Sequence, residues 1–144
     1  IGLGGALAEN LSDAIKEISW PVDAIVPIPL GRKRLKERGY NQVAVFARPL
    51  SVCLDLDYWP DCLTRVRETK SQVGLSAMER KDNVANAFSV EKNVTGRSLL
   101  LVDDVATTGA TLSSAAEALY SVGAGVVYAF TIARALPHHG LVKA

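Results

Sequence analysis

Cysteine, histidine and methionine are scarce in this chain of 144 residues: two, two and one. Cys53 and Cys62 are too few for a disulfide framework, and with no histidine cluster nearby they are too few for a structural zinc site. Both are read as reduced thiols of a cytoplasmic protein, with Cys53 placed in the core. His138 and His139 are adjacent in a Pro-His-His-Gly tail and cannot both face one metal from a regular helix or strand, so they are read as surface. No apolar run approaches the roughly 18 residues of a membrane span. The opening Ile1-Gly2-Leu3-Gly4-Gly5 lacks the basic segment of a secretion signal. It also starts abruptly, which leaves open a missing N-terminal segment. Charge of one sign is lacking too: 16 basic against 15 acidic residues give +1, so no whole-molecule field for nucleic acid arises, although local basic clusters can.

What is present is apolar. Hydrophobic residues make up 49% and charged residues 22%, enough for a real core and against disorder. The length suits a single domain over residues 1–144. Leu3, Leu7, Leu11, Ile15 and Ile18 recur at helical spacing, opposite Glu9, Asp13, Lys16 and Glu17. Trp20-Pro21 ends that helix, and Ala24 to Pro27 reads as a short buried strand. Residues 32–38 are the most basic run, broken by Gly39; Asn41 is placed to cap a helix running to about Leu54, with a kink at Pro49. Cys62 to Val66 and Ala87 to Val90 read as extended pieces. The polar stretch between them, 67–86, reads as a long mobile loop with some helix near Met78 to Asn83. Trp20, Phe46 and Trp59 are read as core or edge packing.

The last third is the most regular. Leu99 to Val102 is a continuous apolar run, as expected of a central parallel strand covered on both faces. A Thr/Gly loop follows, then a helix from about Thr111 to Val122, then a strand from Val126 to Ala133. Strand, loop, helix and strand make a βαβ unit. The expected fold is therefore α/β, a central and mainly parallel sheet of about five strands with helices on both faces.

Asp103 and Asp104 fall at the carboxyl end of the apolar strand, where open α/β sheets bind ligands. Ala106, Thr107, Thr108, Gly109, Ala110 and Thr111 follow, small or hydroxylated, directly before a helix. Backbone N–H groups at a helix start form an anion site that small residues let a phosphate approach closely. The threonine hydroxyls add donors. The two acids repel phosphate but suit hydroxyl groups and, directly or through water, a magnesium ion. A sugar with vicinal hydroxyls and a terminal phosphate satisfies both halves. The plainer reading is a strand end with Thr111 capping the helix, and the full constellation outweighs it. Gly-Lys-Ser/Thr and a complete Gly-x-Gly-x-x-Gly are both missing. A receiver domain would need an acidic phosphoacceptor well downstream, yet 40 residues follow Asp104 and Glu117 is the only acid among them. A haloacid-type phosphatase would need an acid at position 105, which is Val105.

Leu99 to Val102, Asp103-Asp104, two small apolar residues and Thr107-Thr108-Gly109-Ala110-Thr111 resemble the signature of type I phosphoribosyltransferases. The departure is Ala106, where the pattern usually has a larger aliphatic residue. A narrower resemblance spans most of the chain. Val26-Pro27-Ile28-Pro29-Leu30, Arg34-Leu35, Glu37 to Gln42, Thr69 to Gln72 and Asn86-Ala87-Phe88 are similar to the ComF family. Those proteins are amidophosphoribosyltransferase-like and linked to competence for DNA uptake. Their common N-terminal zinc module, built on cysteines, is not among these 144 residues.

The resemblance implies transfer of ribose 5-phosphate from phosphoribosyl diphosphate to an unidentified acceptor, with magnesium and release of diphosphate. Asp103 and Asp104 would hold the ribose hydroxyls and assist the metal, and 106–111 the 5-phosphate. Leu30, Gly31, Arg32 and Lys33, after the first core strand, would contact diphosphate; a solvated helix face explains the same basic run equally well. The 67–86 stretch resembles the loop that closes over such sites and excludes water, offering Arg67 and Lys70 as diphosphate contacts. A homodimer and partner proteins of DNA uptake also fit the resemblance, and a membrane does not. The rival is a binding or regulatory module that keeps the loop without transfer. Direct single-strand DNA binding by Arg32 to Arg38 ranks last, for want of aromatics beyond Tyr40.

Overall fold

The computed structural model describes residues 10, 12, 13, 15–17, 21–66, 87–104 and 109–131, with Arg32 and Arg34 described in their backbone alone. Its centre is the apolar run found in the sequence. Strand β5, Ser98–Asp103, lies between β1, Ala24–Pro27, and β6, Val126–Thr131, and is parallel to both. A short edge strand, β2 (Asp57–Tyr58), pairs parallel with β1, giving the order β2-β1-β5-β6. Four strands, not about five, make the parallel sheet among the described residues.

Both faces of this sheet are covered, which explains why β5 reads as an unbroken apolar run. Leu99 to Val102 are all completely buried. Alternate side chains point to opposite faces. Leu99 and Leu101, with Ala24, Val26 and Ile28, pack against Ala115 and Leu119 of helix α3, Ala110–Ser121. Leu100 and Val102, with Ile25, pack against Val43, Ala47 and Leu50 of helix α2, Gln42–Leu54. Ile15 joins this second cluster from the helical residues ahead of β1. The rest of the amphipathic helix read over Leu3 to Ile18 lies outside the described residues.

Sequence signals set most boundaries. Asn41 caps α2, its side-chain oxygen accepting from the Val43 N–H at 3.1 Å. The helix runs through Pro49 rather than ending there. The carbonyl that loses its partner belongs to Val45, an exposed residue, so water can replace the bond. The basic run forms the seven-residue helix α1, Arg32–Arg38, closed by Gly39 in the left-handed region at φ 81°. Helix α3 begins one residue before the expected start, with Gly109 and not Thr111 at its cap position. The last strand is described only to Thr131, so the expected extension to Ala133 lies outside. Cys62, rather than Cys53, is the buried cysteine; Cys53 is half-buried against the α2 cluster, and both are free thiols.

Strands β3 (Leu63–Arg65) and β4 (Phe88–Val90) form a separate antiparallel ribbon, pairing Leu63 with Val90 and Arg65 with Phe88. Cys62, Leu63 and Phe88 seat it on the α3 side of the core. Trp59 packs beside it, under the Lys92 ammonium at 4.3 Å from the ring centre. Among the described residues, no helix is long and apolar enough to cross a membrane.

The central strand should dominate stability. Leu100→Ala is expected to cost about 2–5 kcal/mol, as for other fully buried leucines, whereas Val52→Ala on the exposed side of α2 should change stability by less than about 0.5 kcal/mol. Urea unfolding of the two variants checks this contrast.

Candidate functional site

Three segments meet at the carboxyl end of the sheet. The first follows β1. The Ile28 N–H donates to the Val102 carbonyl at 2.9 Å, so the chain stays in register with β5 beyond the end of β1. Asn41 then uses its second group, Nδ2 donating to the Ile28 carbonyl at 3.0 Å. One side chain thus caps α2 and fixes the turn Pro29-Leu30-Gly31 that leads into α1. Gly31 is buried, Leu30 half-buried and Lys33 exposed. Arg38, also exposed, bonds Gln42 through Nη1 at 2.8 Å. The described part of the basic run therefore has the character of a solvated helix. The Arg32 side chain lies outside the described residues.

The second segment is the end of β5. Asp103 is half-buried, and its Oδ1 accepts from the Asp104 N–H at 2.9 Å. Burial drives the Asp103 carboxyl up to about 7 from an ordinary value of 3.8, and the neighbouring Asp104 charge pushes the same way. The Asp104 hydrogen bonds act in opposite directions, the backbone N–H lowering the value and the side chain raising it, while Arg65 lowers it. A half-buried carboxyl in this state would gain from a cation beside it. Gly109, Ala110 and Thr111 are half-buried at the start of α3, and no side-chain hydrogen bond closes the Gly109 cap. Ala106, Thr107 and Thr108 lie outside the described residues.

The third segment went unnoticed in the sequence. Arg65, the last residue of β3, sends Nε to the Pro29 carbonyl at 3.2 Å and lays its guanidinium over the Phe88 ring, 4.8 Å from the centre. Its charge is felt at Asp103. A signal was available: Arg65 is two residues from buried Leu63, hence on the same face of an alternating strand. One residue further on, the Val66 N–H donates to the Ala87 carbonyl at 2.8 Å. Val66 and Ala87, the described residues flanking 67–86, are thereby paired beside Arg65. Arg67 and Lys70, within that stretch, lie outside the described residues, as do His138 and His139. Among the described residues no three His, Cys, Asp or Glu side chains gather into a metal site. Burial raises the Cys62 thiol, against a lowering by Lys92, in keeping with its place in the core.

The raised Asp103 value has a stability consequence with a definite sign. Between about pH 4 and pH 7 the folded state keeps a proton that the unfolded chain has released, so this group's contribution falls as pH rises. Asp103→Asn is therefore expected to stabilise the metal-free protein by about 1–2 kcal/mol at pH 8, allowing for partial solvent screening, and by almost nothing at pH 4. Thermal melts at the two pH values measure the difference.

Comparison with known proteins gives the constellation a family. Residues 41–140 match the model of the phosphoribosyl transferase domain. The chain is 41% identical over 114 residues to the DNA utilization protein YhgH of Escherichia coli K12, covering 79% of this chain and 50% of that one. It is also 41% identical over 116 residues to Competence protein F of Haemophilus influenzae, covering 78% and 51%. The chain thus spans about half the length of these curated relatives. Among solved structures it is similar to the allosteric regulatory enzyme of purine biosynthesis, with TM-score 0.58 and 18% identity over 89% of this chain and 26% of that one. A hypoxanthine phosphoribosyltransferase of Staphylococcus aureus follows, with TM-score 0.53 and 16% identity over 89% and 61%. Fold and family model agree: the chain belongs to the phosphoribosyl transferase domain family, in its ComF-like branch.

Proposed function

We propose that this chain binds phosphoribosyl diphosphate with magnesium at the carboxyl end of β5 and transfers its ribose 5-phosphate to a nucleophilic acceptor. The observation that carries the reading is the junction of Asp103-Asp104, at the end of a buried central strand, with a helix that starts at the next described residues. Asp103 and Asp104 would accept hydrogen bonds from the ribose hydroxyls. The backbone N–H groups of residues 106–111 would hold the 5-phosphate, helped by the hydroxyls of Thr107, Thr108 and Thr111. In the transfer, the bond from ribose C1 to diphosphate breaks as the bond to the acceptor forms. Diphosphate leaves with the electron pair, and the acceptor proton goes to water.

The donor set suits magnesium. Both side chains offer oxygen, which this hard cation prefers. When bound, magnesium would supply charge neutralisation for the departing diphosphate. Asp103 and Asp104 would hold it directly or through water, with the remaining positions left to ligand oxygens and solvent. The chain itself contributes positioning and electrostatic complementarity, with no general base evident among the described residues of this site.

A second reading draws on the relatives' names, DNA utilization protein and Competence protein F. In it the site binds phosphoribosyl diphosphate without transfer, as a regulatory module among proteins that handle DNA. The two readings share the ligand and differ in turnover.

A ligand that binds only the folded state adds RT ln(1 + [L]/Kd), about 2.7 kcal/mol at a hundredfold excess. Phosphoribosyl diphosphate is expected to raise the melting temperature in a magnesium-dependent way, ribose 5-phosphate to raise it less, and the double variant Asp103→Asn, Asp104→Asn to lose both shifts while staying folded. Diphosphate release is then screened against nucleobases, amines and ammonia. Turnover with any acceptor establishes transfer, a thermal shift without turnover establishes the regulatory reading, and an undiminished shift in the double variant contradicts the placement of the ligand.

A further inference from the structure

The ribbon leaves one of its edges open. β3 and β4 pair antiparallel with Thr64 opposite Ser89. On either side of that pair, the Val66 N–H donates to the Ala87 carbonyl and the Glu91 N–H to the Cys62 carbonyl. Hydrogen-bonded and non-hydrogen-bonded pairs alternate along such a ladder. Thr64 and Ser89 therefore bond each other, and the N–H and carbonyl groups of Phe88 and Val90 point away from β3. Among the described residues those groups meet no hydrogen-bond partner.

The open edge faces a groove of about 470 Å³ between β4 and α3. Phe88 and Val90 line one side, and Ser114, Glu117, Ala118 and Ser121 line the other. No residue of β3 lines it, which places it on the far side of β4. The four helix positions share one face of α3, and Ala115 and Leu119 take the core face. The three residues of β4 cover about 10 Å at the rise of a strand, and the helix from Ser114 to Ser121 covers about the same. The groove is thus as long as about three residues of extended chain. Ser114 lies beyond the first turn of α3, so the groove runs away from the carboxyl end of the sheet.

Two features select the occupant. Main-chain donors and acceptors repeated at every second residue are matched by another extended backbone, which adds a strand to a free edge. A second copy offering its own β4 edge would bring its own α3 into the same space, so the walled edge admits a single strand in preference to another ribbon. Charge is the other feature. Glu117 is exposed and is the one charged side chain on the lining.

We propose that the groove between β4 and α3 takes an extended segment of a partner protein, added as a third strand of the ribbon, with a lysine or arginine set against Glu117. Phe88 and Val90 supply the main-chain bonds. Ser114, Ala118 and Ser121 are small enough to leave room for the side chains of the segment. The inference is independent of the ligand reading at the end of β5.

The test titrates the isotopically labelled chain with a blocked heptapeptide of alternating threonine and valine carrying one central lysine. At millimolar peptide, the amide resonances of Phe88, Val90 and the Ser114 to Ser121 face are expected to shift, and that of Asp103 to stay in place. Methylating the peptide's backbone nitrogens is expected to abolish binding. Glu117→Lys, an exposed change that leaves the core untouched, should weaken the lysine peptide by about 3–5-fold, the size of an exposed ion pair, and strengthen a peptide with glutamate in its place. Shifts that are absent, map elsewhere or survive N-methylation overturn the proposal, as does an affinity indifferent to Glu117→Lys. Self-association through the same amides without peptide would assign the edge to a second copy and overturn it too.

Discussion

The site depends on the burial of one strand. Leu99 to Val102 are fully enclosed, with β1 and β6 on either edge and helices on both faces. A strand so enclosed has almost no freedom to slide or twist, because a one-residue slip would exchange its two apolar faces. Asp103 and Asp104 come immediately after it. Their placement is therefore set by the core, and the cost of bringing a carboxylate into a half-buried position is met by that rigidity. Asp103 carries the result as a carboxyl pushed up to about 7 by burial.

From this anchor the other parts take their positions. The Ile28–Val102 hydrogen bond extends the β1 register to the turn after it, and Asn41 locks that turn to α2. The antiparallel ribbon brings Arg65 across to Pro29 from the α3 side of the sheet. Acidic groups at the end of β5 and a helix start at the next described residues form a layout in which opposite demands of one ligand can be met. On the proposed reading, hydroxyl groups would meet the carboxylates and phosphate groups the N–H donors.

Much of this was legible in the sequence because local rules governed it. The apolar run predicted β5, Asn41 predicted the start of α2, and Gly39 marked the break of the basic run, where α1 ends. The place of the acidic pair at the end of β5 needed only its order along the chain. What was not legible depended on distant contacts. Arg65 lies 36 positions from Pro29, and nothing in its immediate neighbourhood announces that bond. Cys53, expected in the core, is half-buried, and Cys62 is buried because the ribbon covers it; a two-sheet arrangement cannot be read from short extended segments. The basic run stood out by composition, yet its described part is a solvated helix.

The central claim is that one ligand spans the carboxylates and the helix start. A crystal structure of the protein soaked with phosphoribosyl diphosphate and magnesium tests it most directly. On this account the ribose hydroxyls lie within hydrogen-bonding distance of Asp103 and Asp104, and the 5-phosphate rests on the backbone N–H groups leading into α3. A ligand bound elsewhere, or held with its 5-phosphate away from residues 106–111, would contradict it.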